Sequence, residues 1–173
     1  MNRGGWRVRR AVADDWRASR AIRLEALTEA PLAFASTLDR ESAFADDVWQ
    51  QRITTSMQFL AETDDGAVVG TATGFADPDT TGTVLLVAMF VTPPARGQGI
   101  GERLVRAVVD QARMDGADRV LLHVVETNPG AERLYLRCGF VRTGATVPLP
   151  HRPDLLEHEM VLSLADSRVS AGN

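Results

Sequence analysis

"TVLLVAMFVTPPARGQGIG", residues 83–101, joins an almost wholly apolar run, a Pro-Pro turn, and an arginine followed by three glycines. Downstream, Ile100, Leu104, Val105, Val108 and Ala112 recur at helical spacing, and Gly116 supplies a stop. The apolar run predicts a strand covered on both faces in the middle of a sheet. A strand, a glycine turn and a helix in succession set several unpaired backbone N–H groups at the positive end of a helix dipole. Such a turn is an anion site, with a diphosphate as its usual occupant. Glycine there permits positive φ and close approach to the backbone, and Arg96 adds a planar fork of donors. The P-loop pattern requires a Lys and a Ser/Thr that this turn lacks. The dinucleotide pattern requires G-x-G-x-x-G near the start of a βαβ unit, whereas these glycines fall at 97, 99 and 101.

Working outward, "WRVRRA" alternates as a short first strand, and Asp14 and Asp15 open a helix carrying Trp16, Ile22, Leu24 and Leu27 up to Pro31. The stretch from Phe34 to Ser56 holds another helix, centred on "DDVWQQRITTS" and capped by Asp46. "QFLAET" and "AVVGTATGFAD" flank "DDG" as a hairpin, and "PDTTG" is a loop. "RVLLHVV" is a further strand, "PGAERLYLRC" a short helix opened by Pro129, and "GFVRTG" and "EHEMVLSL" are final strands. The order is β, α, α, three β, then α, β, α, β, β. One domain is expected over 6–164, with a flexible N-terminus at 1–5 and a disordered tail at 165–173.

The 173 residues carry a net charge of −4, which argues against a nonspecific nucleic-acid binder. The single Cys138 forms no internal disulfide, and no Cys/His spacing suits zinc. No apolar signal core is present, and "VLLVAMFV" is too short to span a bilayer. The expectation is a soluble, cytoplasmic protein with no metal, no nucleic-acid partner and no membrane, as a monomer or homodimer.

Arg96-x-x-Gly99-x-Gly101 resembles the R/Q-x-x-G-x-G/A motif with which the GNAT superfamily of N-acetyltransferases binds the diphosphate of acetyl-CoA. "HVVETNPGAERLYLRCGF" resembles the second signature of that superfamily, with Asn128 starting a short helix, Tyr135 seven residues on, and Gly139-Phe140 opening the next strand. The two stand in the right order, one helix and one strand apart. The resemblance implies the GNAT fold, an α/β (α+β) arrangement. Its central sheet is mixed and mostly antiparallel, with a splayed parallel pair and helices on both faces. It also implies acetyl transfer from acetyl-CoA to a primary amine of a small molecule or peptide, by direct attack in a ternary complex.

Carried over by position, Met89, Phe90 and Val91 would offer backbone groups to the pantetheine amides. Arg96, Gly97, Gln98, Gly99, Ile100, Gly101 and Glu102 would wrap the diphosphate, with the Gln98 and Ile100 side chains counting for little. Asn128 would bond the pantetheine arm from the second strand. Tyr135 would be the general acid for the departing thiolate. A strand N–H would polarise the thioester carbonyl. A lysine-like amine costs roughly 4.6 kcal/mol to present neutral at pH 7, and a peptide α-amine about 1.4. His123, near where some relatives carry a glutamate base, is the candidate base, and Glu126 competes from the opposite strand face. Phe34 is the candidate for acceptor contact. Cys138, Trp16 and Trp49 read as packing residues, and His151 and His158 as surface residues in or near the loop "VPLPHRPD". A noncatalytic acyl-CoA sensor and a nucleotide-binding enzyme of another fold are the competing readings.

Overall fold

The computed structural model describes residues 5–164; the expected tail at 165–173 and most of the expected N-terminal arm lie outside the described residues. In chain order the elements are β1 (Trp6–Arg10), α1 (Trp16–Glu29), α2 (Leu38–Ser42), α3 (Asp46–Thr55), β2 (Met57–Thr63), β3 (Val68–Ala76), β4 (Thr83–Val91), α4 (Ile100–Met114), β5 (Arg119–Val125), α5 (Pro129–Arg137), β6 (Val141–Leu149) and β7 (Arg152–Ser163). They form one seven-stranded sheet in the order β1-β2-β3-β4-β5-β7-β6, antiparallel throughout except for the β4–β5 pair. This is the mixed sheet the resemblance implied.

Local chemistry explains the principal boundaries. The β2–β3 hairpin closes where Gly66, at φ +86°, completes the "DDG" turn and Thr63 N–H donates to Ala67 O at 2.9 Å. α4 ends where Gly116 takes φ +81° and Ala117 N–H returns to Ala112 O at 2.9 Å. The apolar face of α4, with Leu104, Val105, Val108 and Ala112 fully buried, packs on one side of the sheet against Phe59, Ala61, Ala72 and Val84. On the opposite side, Trp16, Trp49 and Ile53 enclose Leu60, while Ile22, Leu27 and Phe34 enclose Phe90. Alternating residues of β2 thus serve two cores, as a period of two requires.

Three expectations need correction. The stretch from Phe34 to Ser56 holds two helices, the first only five residues long and capped by the Thr37 hydroxyl, which accepts from Arg40 N–H at 3.3 Å. "VPLPHRPD" is a strand–turn–strand, with β6 running to Leu149 and β7 starting at Arg152. Its prolines are tolerated because β6 is the sheet edge and Pro153 precedes Glu157, the first residue of β7 that pairs with β5. Finally, β4 is central but loses its cover midway, where Val87 is 39% exposed.

That loss of cover marks the feature that positions the site. β4 and β5 pair only at Thr83↔Arg119, Val84↔Val120 and Leu85↔Leu121, then part. β5 stays paired with β7 as far as Val125. β4 bulges away: Thr73 pairs with Val87 but Thr71 pairs with Phe90, and the extra residue, Ala88, sits at φ +53°. A non-glycine residue there costs about 1–2 kcal/mol, and a β-branched one costs more. Ala88→Val is therefore expected to lower unfolding stability by about 1–2 kcal/mol relative to Ala88→Gly. Urea denaturation of the two variants measures the difference, and equal midpoints would show that the bulge carries no strain.

Candidate active site

At the end of β4 the chain makes a turn over Pro93–Ala95 and then passes Gly97 at φ +75° and Gly99 at φ +83° into α4. Both glycines are in the left-handed region, and a Cβ added at either would meet nothing within 4 Å, so the space above the turn is open. The Gly99 carbonyl already accepts from Arg103 N–H at 3.1 Å, and the N–H groups of Ile100, Gly101 and Glu102, in the helix's first turn, are left facing out of its end. Gly101 has another role. A Cβ there would lie 3.0 Å from Met89 Cε and 3.1 Å from Leu134 Cδ2, so its glycine lets α4 pack closely against β4 and α5.

A cleft of about 540 Å³ opens over this turn into the gap between the parted strands. Of the donor-side residues expected between Met89 and Glu102, all but Gln98 line it, as do Asn128 and Tyr135. Two of them are engaged differently from expectation. The Arg96 guanidinium is turned to the Glu29 carboxylate at 2.8 Å, with Nε on Val91 O at 2.9 Å, because the end of α1 brings a carboxylate opposite it. Arg96 thus clamps α1 to the end of β4. Asn128 Oδ1 accepts from Ala131 N–H at 3.1 Å as the N-cap of α5, which leaves only its amide nitrogen for anything in the cleft.

Tyr135 is buried edge-on to Phe140, with ring centroids 6.0 Å apart, and burial pushes its phenol up, so it holds its proton firmly. Cys138 packs beside the main core, and its thiol is likewise pushed up, first by burial and then by Glu102.

A second cavity of about 570 Å³ lies across the sheet under α1, α2 and α3. Ala33 and Phe34 line both spaces, so the two adjoin at this point of the chain. His123 faces the second cavity, its Nε2 3.7 Å from Glu159 Oε2. Glu126 lies beyond β5, and its carboxylate accepts from Leu156 N–H at 3.0 Å, a structural duty that removes it from the cavity. His151 is not a free surface residue: its Nε2 meets Phe34 O at 2.8 Å and ties the β6–β7 turn to the wall. His158 is half-buried within β7, paired with Thr146.

Several cavity residues escaped sequence reading. Glu157, buried, stands on the same face of β7 as Glu159, and burial pushes its carboxyl up against the opposing pull of His123 and His151. A polar chain runs from Ser19 Oγ to Gln58 Oε1 at 2.8 Å and from Gln58 Nε2 to Thr71 Oγ1 at 3.0 Å. Glu41 is fully buried between Arg23, which grips it with two hydrogen bonds at 2.8 and 3.1 Å, and Arg52 at 2.8 Å. These partners come from three helices, and no local spacing announces them.

The sequence model of the acetyltransferase (GNAT) family matches residues 22–140. The chain belongs to that family. A mycothiol acetyltransferase from Thermomonospora curvata is 38% identical over 54% of this chain, and the match spans 32% of that protein, so this chain corresponds to about a third of the relative's length. A GCN5-related N-acetyltransferase from Kribbella flavida superposes with a TM-score of 0.73 at 27% identity, covering 91% of this chain and 97% of the other. A phosphinothricin acetyltransferase from Sinorhizobium meliloti, solved with acetyl-CoA, superposes with a TM-score of 0.77 at 22% identity over 97% and 93% of the two chains. No helix among the described residues of this GNAT acetyltransferase is long and apolar enough to cross a membrane.

Burial is the largest single influence on Glu41 and acts to raise its carboxyl, but the hydrogen bonds and charges of Arg23 and Arg52 together outweigh it and hold it at about 2, down from 4.5. A depressed carboxyl contributes stability that is fully present above 4.5 and is lost as pH falls toward 2. Glu41→Ala leaves two arginines facing each other without a counterion and is expected to cost about 3 kcal/mol at pH 7. Urea titrations from pH 7 to pH 2.5 should show the gap to wild type narrowing below pH 4.5. A cost under about 1 kcal/mol would mean that water already screens the arginines.

Proposed function

We propose that this chain is an acetyl-CoA-dependent N-acetyltransferase that passes an acetyl group to a primary amine by direct attack in a ternary complex. The observation that carries this reading is the pair of cavities adjoining at Phe34 along β4 beyond its parting from β5, with the open glycine turn beside one and His123 with Glu157 in the other. In this reading acetyl-CoA enters as a substrate from the glycine side. Its diphosphate takes the outward N–H groups of the first turn of α4, and its extended arm lies along Met89 to Val91. Gly97 and Gly99 leave room for the phosphate oxygens, and Arg96 acts by holding the turn against α1 rather than as the principal phosphate ligand.

The acceptor amine enters from the second cavity, and His123 removes its proton, with Glu159 beside the imidazolium that results. The amine lone pair attacks the thioester carbonyl carbon, forming a C–N bond and a tetrahedral oxyanion that a β4 backbone N–H stabilises. Collapse breaks the C–S bond as Tyr135 gives its proton to the departing thiolate, and the second proton of the attacking nitrogen returns to the tyrosinate through solvent, so the one proton released overall is the one taken by His123. A cytoplasmic setting belongs to the same proposal.

Two variants test the two ends. Tyr135→Phe is expected to slow thiol release from acetyl-CoA by about a hundredfold across an amine panel. Equal turnover would exclude Tyr135 as the acid. Gly99→Val places a side chain in the open space above the turn and should abolish the stabilisation by acetyl-CoA, which for wild type reaches about 2.7 kcal/mol at ~100 times Kd. Because Gly99 is left-handed, this variant also loses about 1–2 kcal/mol of stability, so the readout is the ligand-induced shift in Tm and not Tm itself. Retained protection would move the diphosphate elsewhere, and protection of the wild type by acetyl-CoA with no amine turned over would instead make the protein an acyl-CoA sensor.

A further inference from the structure

Resting on that N-acetyltransferase reading, we propose that the acceptor is a small amine that also carries a carboxylate, as an amino acid does. The carboxylate sits under Arg23, Arg40 and Arg52, and the amine sits beside His123 and Glu157. All five residues line the second cavity, with the arginines on the helical roof and the other two on the strands beneath.

The roof has more positive charge than it has counterions. Glu41 is shared by Arg23 and Arg52. Arg52 also stacks on Phe44, with Cζ 4.9 Å from the ring centroid, and Arg40 approaches the same ring at 6.0 Å. Two guanidinium groups thus share one carboxylate, and Arg40, beside the same Phe44 ring, forms no ion pair among the described residues. Donors are in surplus as well. Arg23 Nη1, Trp49 Nε1 and Ser36 Oγ, each on a residue lining this cavity, have no hydrogen-bond partner among the described residues. Trp49 is only 1% exposed, and its unpaired indole N–H adds a positive dipole end behind the roof.

The floor has the opposite polarity. Glu157 and His123 offer one buried carboxylate and one acceptor nitrogen, the partners an ammonium needs before it loses its proton. A zwitterion spans this gradient with both charges met. A polyamine would set a second cation against the arginines, and a neutral amine would leave the surplus donors unpaired. What remains exposed and without an ion pair on the roof is the fork of Arg40, which matches the two oxygens of a carboxylate.

The experiment compares kcat/KM for an α-amino acid and for its own carboxamide, with thiol release as the readout, in wild type and in Arg40→Gln. Arg40 is exposed and outside the buried Glu41 cluster, so the variant should fold, and unchanged far-ultraviolet circular dichroism and Tm check this. The acid-to-amide ratio within each protein is compared, so the differing basicity of the two amines cancels between proteins. The expected result is a wild-type preference for the acid that falls about tenfold in Arg40→Gln, equivalent to about 1.4 kcal/mol of lost recognition. An unchanged ratio in the variant overturns the carboxylate assignment and leaves amine acetylation standing, as does a wild type that prefers the amide, a diamine or the matching aminophosphonate. No thiol release with any amine overturns the N-acetyltransferase reading and the acceptor class together.

Discussion

The parting of β4 from β5 after three paired residues is the constraint on which the rest of the structure depends. Each strand must leave its parallel neighbour while keeping its antiparallel one. On one side, β5 stays in register with β7 to its last residue. On the other, β4 takes up an extra residue at Ala88 and so turns from β5 without losing β3. The outcome is a strand edge inside the protein, with backbone donors and acceptors facing a gap instead of a neighbour. Such an edge is where an extended chain adds to a sheet. The two cavities are successive mouths along β4 beyond this point, one lined by Leu86 to Ala88 and the other by Met89 to Val91. The glycine turn is at the mouth it occupies because it follows directly from the end of β4.

Around the second mouth the controlling physics is electrostatic. A fully buried carboxylate is unfavourable alone, and Glu41 stays ionised only because two arginines from separate helices converge on it. That cluster ties α2, too short to be stable in isolation, to α1 and α3. The same arginines continue into the cavity wall, so the interaction that folds the roof also sets its charge. Glu157 is in the contrary position. It is buried without an arginine, and burial pushes its carboxyl up against the pull of His123 and His151, so the cavity sets an arginine-rich roof over a floor that carries a buried acid.

Sequence periodicity was enough for most of the fold. The alternation of Phe59, Leu60 and Ala61, the helical spacing from Ile100 to Ala112, and the glycines at 66 and 116 each follow from neighbours within a few residues, and each element they imply is present. That residues of Met89 to Glu102 share one cleft was legible for the same reason, since they form one contiguous segment. Misreadings arose where a distant partner intervened. The Arg96 ion pair was not legible because Glu29, 67 positions away, is adjacent only in the fold. His151 read as a surface residue because its acceptor, the Phe34 carbonyl, lies 117 positions away. The Glu41 cluster and Glu157 were invisible because their neighbours come from other helices and strands.

This division between local and distant encoding bears on how the family varies. The donor end is one strand, one turn and one helix, and a single stretch of sequence can preserve it whole. The acceptor cavity draws on residues from Ser19 to Glu157, and the family match over 22–140 ends before the β6–β7 hairpin that carries Glu157 and His151. Substitutions in that hairpin, or in the roof helices, can change the charge and shape of the acceptor cavity without touching the glycine turn or the β4 bulge. In this chain the residues to read for acceptor choice are the arginines of the roof and the acid beneath them, not the motif that identifies the fold.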